Sequence, residues 1–311
     1  VDEAQDLAPM QWKMIHDVMK PRAKRVYFAG DDDQCIYSWM GVDVRDFLNA
    51  SDNKTILNKS YRLPRSIHTI AESMVSQLGT RQKKVWMPKE EAGVVVWHHD
   101  MLGLDLTNGE WLILARTNYI ANKIATDLKE QGYLFWREGS GWSISPNVLT
   151  GIEVWLKLCK GIYLSAKELR ILSTLLKSDI VTKFGRKKLA TLDNELTHNL
   201  ESIRENFTTN VSAEMPWYDA LKVSEKERIY ISSVRRMGEK LLTDKPRIKI
   251  STIHKAKGGE ADNVALLLDS SKPCVESPDQ DSEIRTFYVG ATRAKKALHI
   301  IESQSMYGFK I

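Results

Sequence analysis

Apolar positions recur along this chain with two different periods. Leu7, Met10, Met14 and Val18 fall on one helical face, and Ile67, Ile70, Ala71, Met74, Val75 and Leu78 form a stripe of period 3.6. Ile120, Ile124 and Leu128 mark a further helix. Between such stripes lie short apolar runs. Arg25 to Ala29 reads as a short buried strand that ends at Gly30 and a polar turn, and Val94 to Trp97 and Trp111 to Ala115 read as two more. Ile248 to Ile253, Val264 to Leu268 and Ala297 to Ile301 follow near the C-terminus. Strand alternating with helix predicts an α/β layered fold with a mostly parallel sheet. Residues 160–245 break the alternation. Leu169, Leu172, Leu175 and Leu176 keep a helical pattern there, no strand pattern stands out, and the expectation is an α-helical insert.

Composition narrows the class without naming it. A chain of 311 residues has room for two domains, or for one domain with a large insert. The net charge of +5 permits a polyanionic partner and equally fits a solvated surface. Cys35, Cys159 and Cys274 are far apart and form no Cys-x-x-Cys pair, which argues against a disulfide framework or structural zinc and fits a reducing cytoplasmic interior. No apolar run approaches the roughly 20 residues that span a bilayer, so no membrane partner is expected. The chain opens on Val1-Asp2-Glu3 without a Met or a signal peptide, and is expected to be a piece of a longer protein.

Two clusters carry candidate chemistry. In Val1-Asp2-Glu3-Ala4-Gln5-Asp6, adjacent acids follow an apolar strand end. That is where an enzyme acting on a Mg²⁺-nucleotide places a metal ligand and a base, with Asp2 in the Mg²⁺ shell and Glu3 activating water. The same residues also suit an acidic helix start. In Gly30-Asp31-Asp32-Asp33-Gln34-Cys35-Ile36-Tyr37-Ser38-Trp39, a glycine and three acids precede a glutamine and two aromatics. A glutamine can sense a terminal phosphate, and exposed aromatics can stack on unpaired bases. A tight polar turn followed by core aromatics is the other reading.

The two clusters resemble motifs II and III of superfamily-one DNA helicases of the UvrD/Rep type. Further segments resemble that family in the right order. Leu57 to Ile67, containing Ser60-Tyr61-Arg62, resembles motif IV, and Leu112 to Asn118 the segment after it. Ile250 to Glu260 resembles motif V and Glu283 to Ala294 motif VI. Only the helical insert lies outside the match. The resemblance implies ATP and Mg²⁺ as cofactors and single-stranded DNA and duplex junctions as partners. It implies that Tyr61 stacks on adenine, that Arg62 and Arg293 reach the γ-phosphate, and that Gly258 and Glu260 contact the nucleotide. Tyr37, Trp39, Arg116, Asn118, Thr252 and His254 would face DNA or link it to the nucleotide. Ordinary readings stand beside these: Arg62 and Arg293 as surface ion-pair partners, His254 as a packed histidine.

Three departures qualify the likeness. Met40 replaces the usual arginine after the aromatic pair, Gly259 replaces a leucine and is expected to loosen its turn, and Lys272 to Ser277 lacks a histidine common in the family. No Gly-x-x-x-x-Gly-Lys-Ser/Thr loop occurs in the 311 residues.

The expected architecture is a RecA-like parallel-sheet domain of the P-loop NTPase type, residues 61–159 and 246–311. An α-helical insert, 160–245, sits at the family's 2B position, and residues 1–60 are a remnant of a first RecA-like domain. The expected function is the C-terminal part of an ATP-dependent 3′-to-5′ single-stranded DNA translocase and helicase, inactive alone. The alternative is a non-catalytic nucleic-acid-binding module descended from one.

Overall fold

Residues 1–193, 197–208, 211–238 and 245–311 are described by a computed structural model. Parts of the expected insert, at 194–196, 209–210 and 239–244, lie outside the described residues. The chain divides into two compact units, Val1–Ala125 with Arg137–Gly139 and Arg247–Ile311, and Thr126–Trp136 with Ser140–Pro246.

The first unit is built on five parallel strands: β1 (Val94–His98), β2 (Trp111–Ala115), β3 (Ile248–Thr252), β4 (Ala261–Leu267) and β5 (Ala294–Ile301). Their order across the sheet is β1-β5-β4-β2-β3. The apolar runs of β2 and β4 occupy central positions, where both faces are covered, which is why they lack alternation. Helix Arg65–Val75 packs its stripe into this core, with Ile67, Ala71, Met74 and Val75 buried beside Leu114, Leu266 and Leu298. Helix Gln280–Ala291 is buried along most of its length, and Phe287 and Val289 join the same cluster.

The register sets the geometry of the site. Trp111 on β2 lies beside Ile248 on β3 and beside Asn263 on β4, so the three strands start at the same edge. Residues 253–260 therefore run from the carboxyl end of β3 back to the amino end of β4. Ala261 in turn lies beside Ala294, so Glu260 and Arg293 precede neighbouring strands at one edge of the sheet.

Two expectations near the N-terminus fail. Residues 25–29 form no strand and are not buried; Tyr27 is 71% exposed. Among the described residues its backbone pairs with residues 1–4, where Ala4 donates to the Ala29 carbonyl at 2.9 Å and Ala29 donates to that of Val1 at 2.8 Å. The first helix, Pro9–Met14, buries the opposite side from the one expected. Trp12 and Ile15 enter a small core with Ala4, Leu7 and Phe28, while Met10, Met14 and Val18 are exposed. A single large indole decides the face that three flexible side chains only suggest.

The second unit is helical with its own core. Ile152, Trp155, Leu158, Leu169, Leu172, Ile231 and Val234 are fully buried in it. Residues 140–159, expected with the sheet, contribute Leu149, Ile152, Trp155 and Leu158 to this helical core. The stretch expected to lack strands contains a two-residue antiparallel pair, Leu164–Ser165 with Thr197–His198. Pairing this short leaves no readable alternation.

Candidate functional site

The N-terminal acids, the acid-rich turn, the loop after β3 and the helix before β5 meet within the first unit. Lys257 is their hinge. Its ammonium, 9% exposed, pairs with Asp6, lies 3.6 Å from Glu3 Oε2, donates to the Gln34 carbonyl at 2.8 Å and sits 5.3 Å from the centre of the Tyr37 ring. Burial raises the Asp6 carboxyl, and Lys257 opposes that shift. Asp6 Oδ1 is buried with no partner among the described residues.

Glu3 is the one non-glycine residue with positive φ among the described residues, at 48°. The left-handed conformation costs a non-glycine residue of order 1–3 kcal/mol in sparsely populated regions, and such strain clusters at functional sites. Its side chain is exposed and accepts from the Gln5 amide. Asp2 is exposed as well; its Oδ1 accepts from Glu3 N at 2.9 Å, and its Oδ2 takes no donor among the described residues.

Arg293 has the least ordinary environment of any cation here. Its side chain is 1% exposed. Its guanidinium donates to the Val289 carbonyl at 2.9 Å, Thr292 Oγ1 at 3.2 Å, the Gly259 carbonyl at 3.4 Å and Gln34 Oε1 at 3.4 Å. No carboxylate among the described residues pairs with it. Burial, and then the charge of Arg62, push it down to about 10, so it remains a cation at neutral pH. Arg62 is half-exposed and reaches Glu260 Oε2 at 3.3 Å; Lys295 approaches the other oxygen at 3.6 Å. Gly258 takes φ of 83°, which only glycine adopts freely. Gly259, where the expectation was a loosened turn, donates its N–H to the Ala256 carbonyl at 2.9 Å. Tyr61, next to Arg62 in the chain, is 84% exposed, and the Lys59 ammonium lies 5.4 Å from the centre of its ring.

The six residues expected to face DNA fall into three situations. Trp39 is 72% exposed beside exposed Met40, and Asn118 is exposed at the start of its helix. Tyr37 is half-buried; its hydroxyl donates to the His254 carbonyl at 3.3 Å and its ring lies edge-on to Trp39. Thr252, Arg116 and His254 are engaged internally. Thr252 is buried and Arg116 donates to Glu283 at 2.7 Å. His254 is pushed down to about 4 by burial and by Arg116, so it is neutral at pH 7.

Asp31, Asp32 and Asp33 hold oxygens within 4.8 Å of one another, which resembles a cation site. Cationic side chains already match them. Lys84 reaches Asp31, Asp32 at 2.7 Å and Asp33 at 3.0 Å, and Arg81 grips Asp33 through two bonds of 2.7 and 3.0 Å. Gln82 N donates to Asp32 at 2.7 Å, and buried Arg285 donates to the Asp32 carbonyl at 3.0 Å. Lys257, Arg81, Lys84 and Arg285 are absent from the sequence-level site. The only signal for the middle pair is a basic run, Arg81-Gln82-Lys83-Lys84, whose three cations match in number the three acids of the run about 50 residues earlier.

Comparison with known proteins agrees on both ends of the chain. Residues 1–55 match the UvrD/REP helicase N-terminal domain, and residues 166–305 match the UvrD-like helicase C-terminal domain. A probable DNA helicase II homolog of Mycoplasma pneumoniae is 22% identical over 390 aligned positions, covering 99% of this chain and 54% of that protein. The ATP-dependent DNA helicase PcrA of Leuconostoc citreum is 24% identical over 151 positions, 41% of this chain and 20% of the relative. The DNA helicase II of Haemophilus influenzae is 32% identical over 100 positions, 30% of this chain and 14% of the relative. The chain thus spans about half the length of the Mycoplasma pneumoniae relative, and smaller shares of the other two.

Proposed function

Because the chain belongs to the UvrD/Rep-type helicase family, we propose that it is part of an ATP-driven DNA helicase that moves 3′ to 5′ along one strand. In this reading residues 61–125, 137–139 and 247–311 are the second RecA-like domain, 126–136 and 140–246 the helical insert, and 1–60 part of the first. The observation that carries the proposal is Arg293, a buried cation held by carbonyls and an amide, without a carboxylate. An unpaired charge withdrawn from water costs several kcal/mol, and a polyphosphate beside Arg62 and Arg293 would offset that cost.

The residues present fit both groups the family uses. Two arginines and a glutamine amide suit a polyphosphate, and the free oxygen of Asp2 suits a divalent cation. The Asp31–Asp33 group does not fit a cation, because Lys84 and Arg81 already neutralise it. Bound Mg²⁺-ATP would supply the phosphoryl group to be transferred to water. Glu3 accepts a proton from that water, its carboxylate exposed beside Asp2. Arg62 and Arg293 stabilise charge developing on the transferred oxygens, which a planar guanidinium does better than an ammonium. Gln34 would turn its amide toward the same charge, the exposed ring of Tyr61 would stack on adenine, and Gly258 and Glu260, on the loop after β3, would line the nucleotide. That loop links the two functions, because it begins near Thr252 and His254, on the DNA side of this reading, and ends at Glu260. Trp39, with Tyr37 and Asn118, gives the strand a surface to step along, leading to duplex junctions, and Arg116 backs that surface through its pair with Glu283. An intracellular place follows from this role.

The test is steady-state ATP hydrolysis by the whole protein with single-stranded DNA. Arg293→Ala and Arg62→Ala should each lower kcat strongly, toward the roughly 10³-fold or greater losses of arginine fingers in related enzymes, with DNA affinity nearly unchanged. Loss of DNA affinity with normal hydrolysis would assign these arginines to the other ligand. No hydrolysis by the whole protein would favour the non-catalytic module.

A further inference from the structure

We propose that Lys84 and Asp31 are positioning residues that aim the Gln34 amide at Arg293, so that the segment after helix Arg65–Val75 controls the nucleotide site. The inference rests on the reading of Gln34 and Arg293 given above. It starts from the chemistry of an amide, which carries a donor on one side and an acceptor on the other. Gln34 Nε2 donates to Asp31 Oδ2 at 2.8 Å, which turns Oε1 toward the Arg293 guanidinium at 3.4 Å. A flipped amide would aim its NH₂ at a cation and lose both bonds. Asp31 is thus the group that chooses the orientation of Gln34.

Lys84 in turn fixes Asp31. Asp31 uses one oxygen for Gln34 and the other for Lys84 and for Asp33 N at 3.2 Å. Three carboxylates this close repel one another, and the burial of Asp32 and Asp33 strengthens that repulsion. Among the described residues Lys84 is the one cation that pairs with all three. Burial alone would raise the Asp31 carboxyl; Lys84 and Gln34 more than reverse that and hold it below the usual range. Without Lys84, Asp31 swings toward solvent or takes up a proton. The remaining anchors stay, because Arg81 holds Asp33, Gln82 N holds Asp32 and Arg285 holds the Asp32 carbonyl. The turn therefore persists while the aim of Gln34 is lost.

The experiment is a double-mutant cycle on the whole protein, read by ATP hydrolysis with saturating oligo-dT. Lys84→Met should lower kcat about tenfold, with KM for ATP and oligo-dT affinity each within about twofold of the parent. Added to Gln34→Ala, the same substitution should change kcat by less than about twofold, since the group it positions is gone. Lys84→Arg should recover most of the rate. Equal losses with and without Gln34, or an unaltered kcat, would overturn the relay. Thermal unfolding checks that Lys84→Met is folded; if it is not, Asp31→Ala replaces it in the same cycle with the same criteria. An Arg293→Ala variant run in parallel separates the two readings. A normal rate there defeats the nucleotide assignment itself, whereas a lowered rate there with normal Lys84→Met defeats only the relay.

Discussion

A histidine held neutral is a measurable commitment of this fold. His254 is half-buried beside Arg116 and Lys257, and its ring meets the backbone of Ile36. Its folded value of about 4 lies below the unfolded value of about 6.5. Between these two values the unfolded chain binds a proton that the folded chain refuses, so stability falls as pH drops from about 6.5 to about 4. The full loss is at most about 3 kcal/mol for this group. Urea unfolding at pH 7.5 and pH 5 should show it, and His254→Gln should flatten the difference. An unchanged pH dependence in the variant would place the titrating group elsewhere. The residue scale also shows what the sequence withheld. Arg293 is placed in a motif by its neighbours, and Val289 is local to it, but its contacts with Gly259 and Gln34 arise only in three dimensions.

Elements were legible where periodicity was long and failed where one side chain outweighed a pattern. The stripe Ile67, Ala71, Met74 and Val75 is buried as its spacing requires, because three turns of helix repeat the signal. Strands β2, β3, β4 and β5 were recognisable as apolar runs, although β4 begins three residues and β5 three residues earlier than their hydrophobic runs suggest. In Pro9–Met14, less than two turns long, the methionines indicated one face and Trp12 took the other. This gives a direct contrast in urea unfolding followed by far-ultraviolet circular dichroism. Trp12→Ala should destabilise its unit by roughly 3–5 kcal/mol, whereas Met10→Ala should stay within about 0.5 kcal/mol of the parent. A costly Met10→Ala would restore the face that the sequence suggested. Charge pairing between elements was the least legible layer, since neither the acid run at 31–33 nor the basic run at 81–84 names its partner.

At the scale of the molecule, two cores divide the work. The helical unit buries Trp155 and its neighbours without any of the motif residues, while the sheet unit gathers all of them. Among the described residues no helix is long and apolar enough to cross a membrane. The sheet unit brings Glu3, Gln34, Arg62, Glu260 and Arg293 to one region, but a polyphosphate also needs a cradle of backbone N–H groups and a lysine for its inner phosphates. Residues 1–311 contain no Gly-x-x-x-x-Gly-Lys-Ser/Thr sequence to form that cradle. The loops that do meet here are committed otherwise: the acid-rich turn is filled by Lys84 and Arg81, and Lys257 is spent on Asp6 and the Gln34 carbonyl. The 311 residues by themselves should therefore show no DNA-stimulated ATP hydrolysis, whereas the whole protein should. Assayed with oligo-dT on protein free of contaminating ATPases, turnover near 1 s⁻¹ or above, the low end of ordinary enzyme rates, would mean that the phosphates are held by groups other than those assigned here. The expected null result together with an active whole protein would place the phosphate cradle outside these residues and leave Arg62 and Arg293 as their contribution from the opposite side.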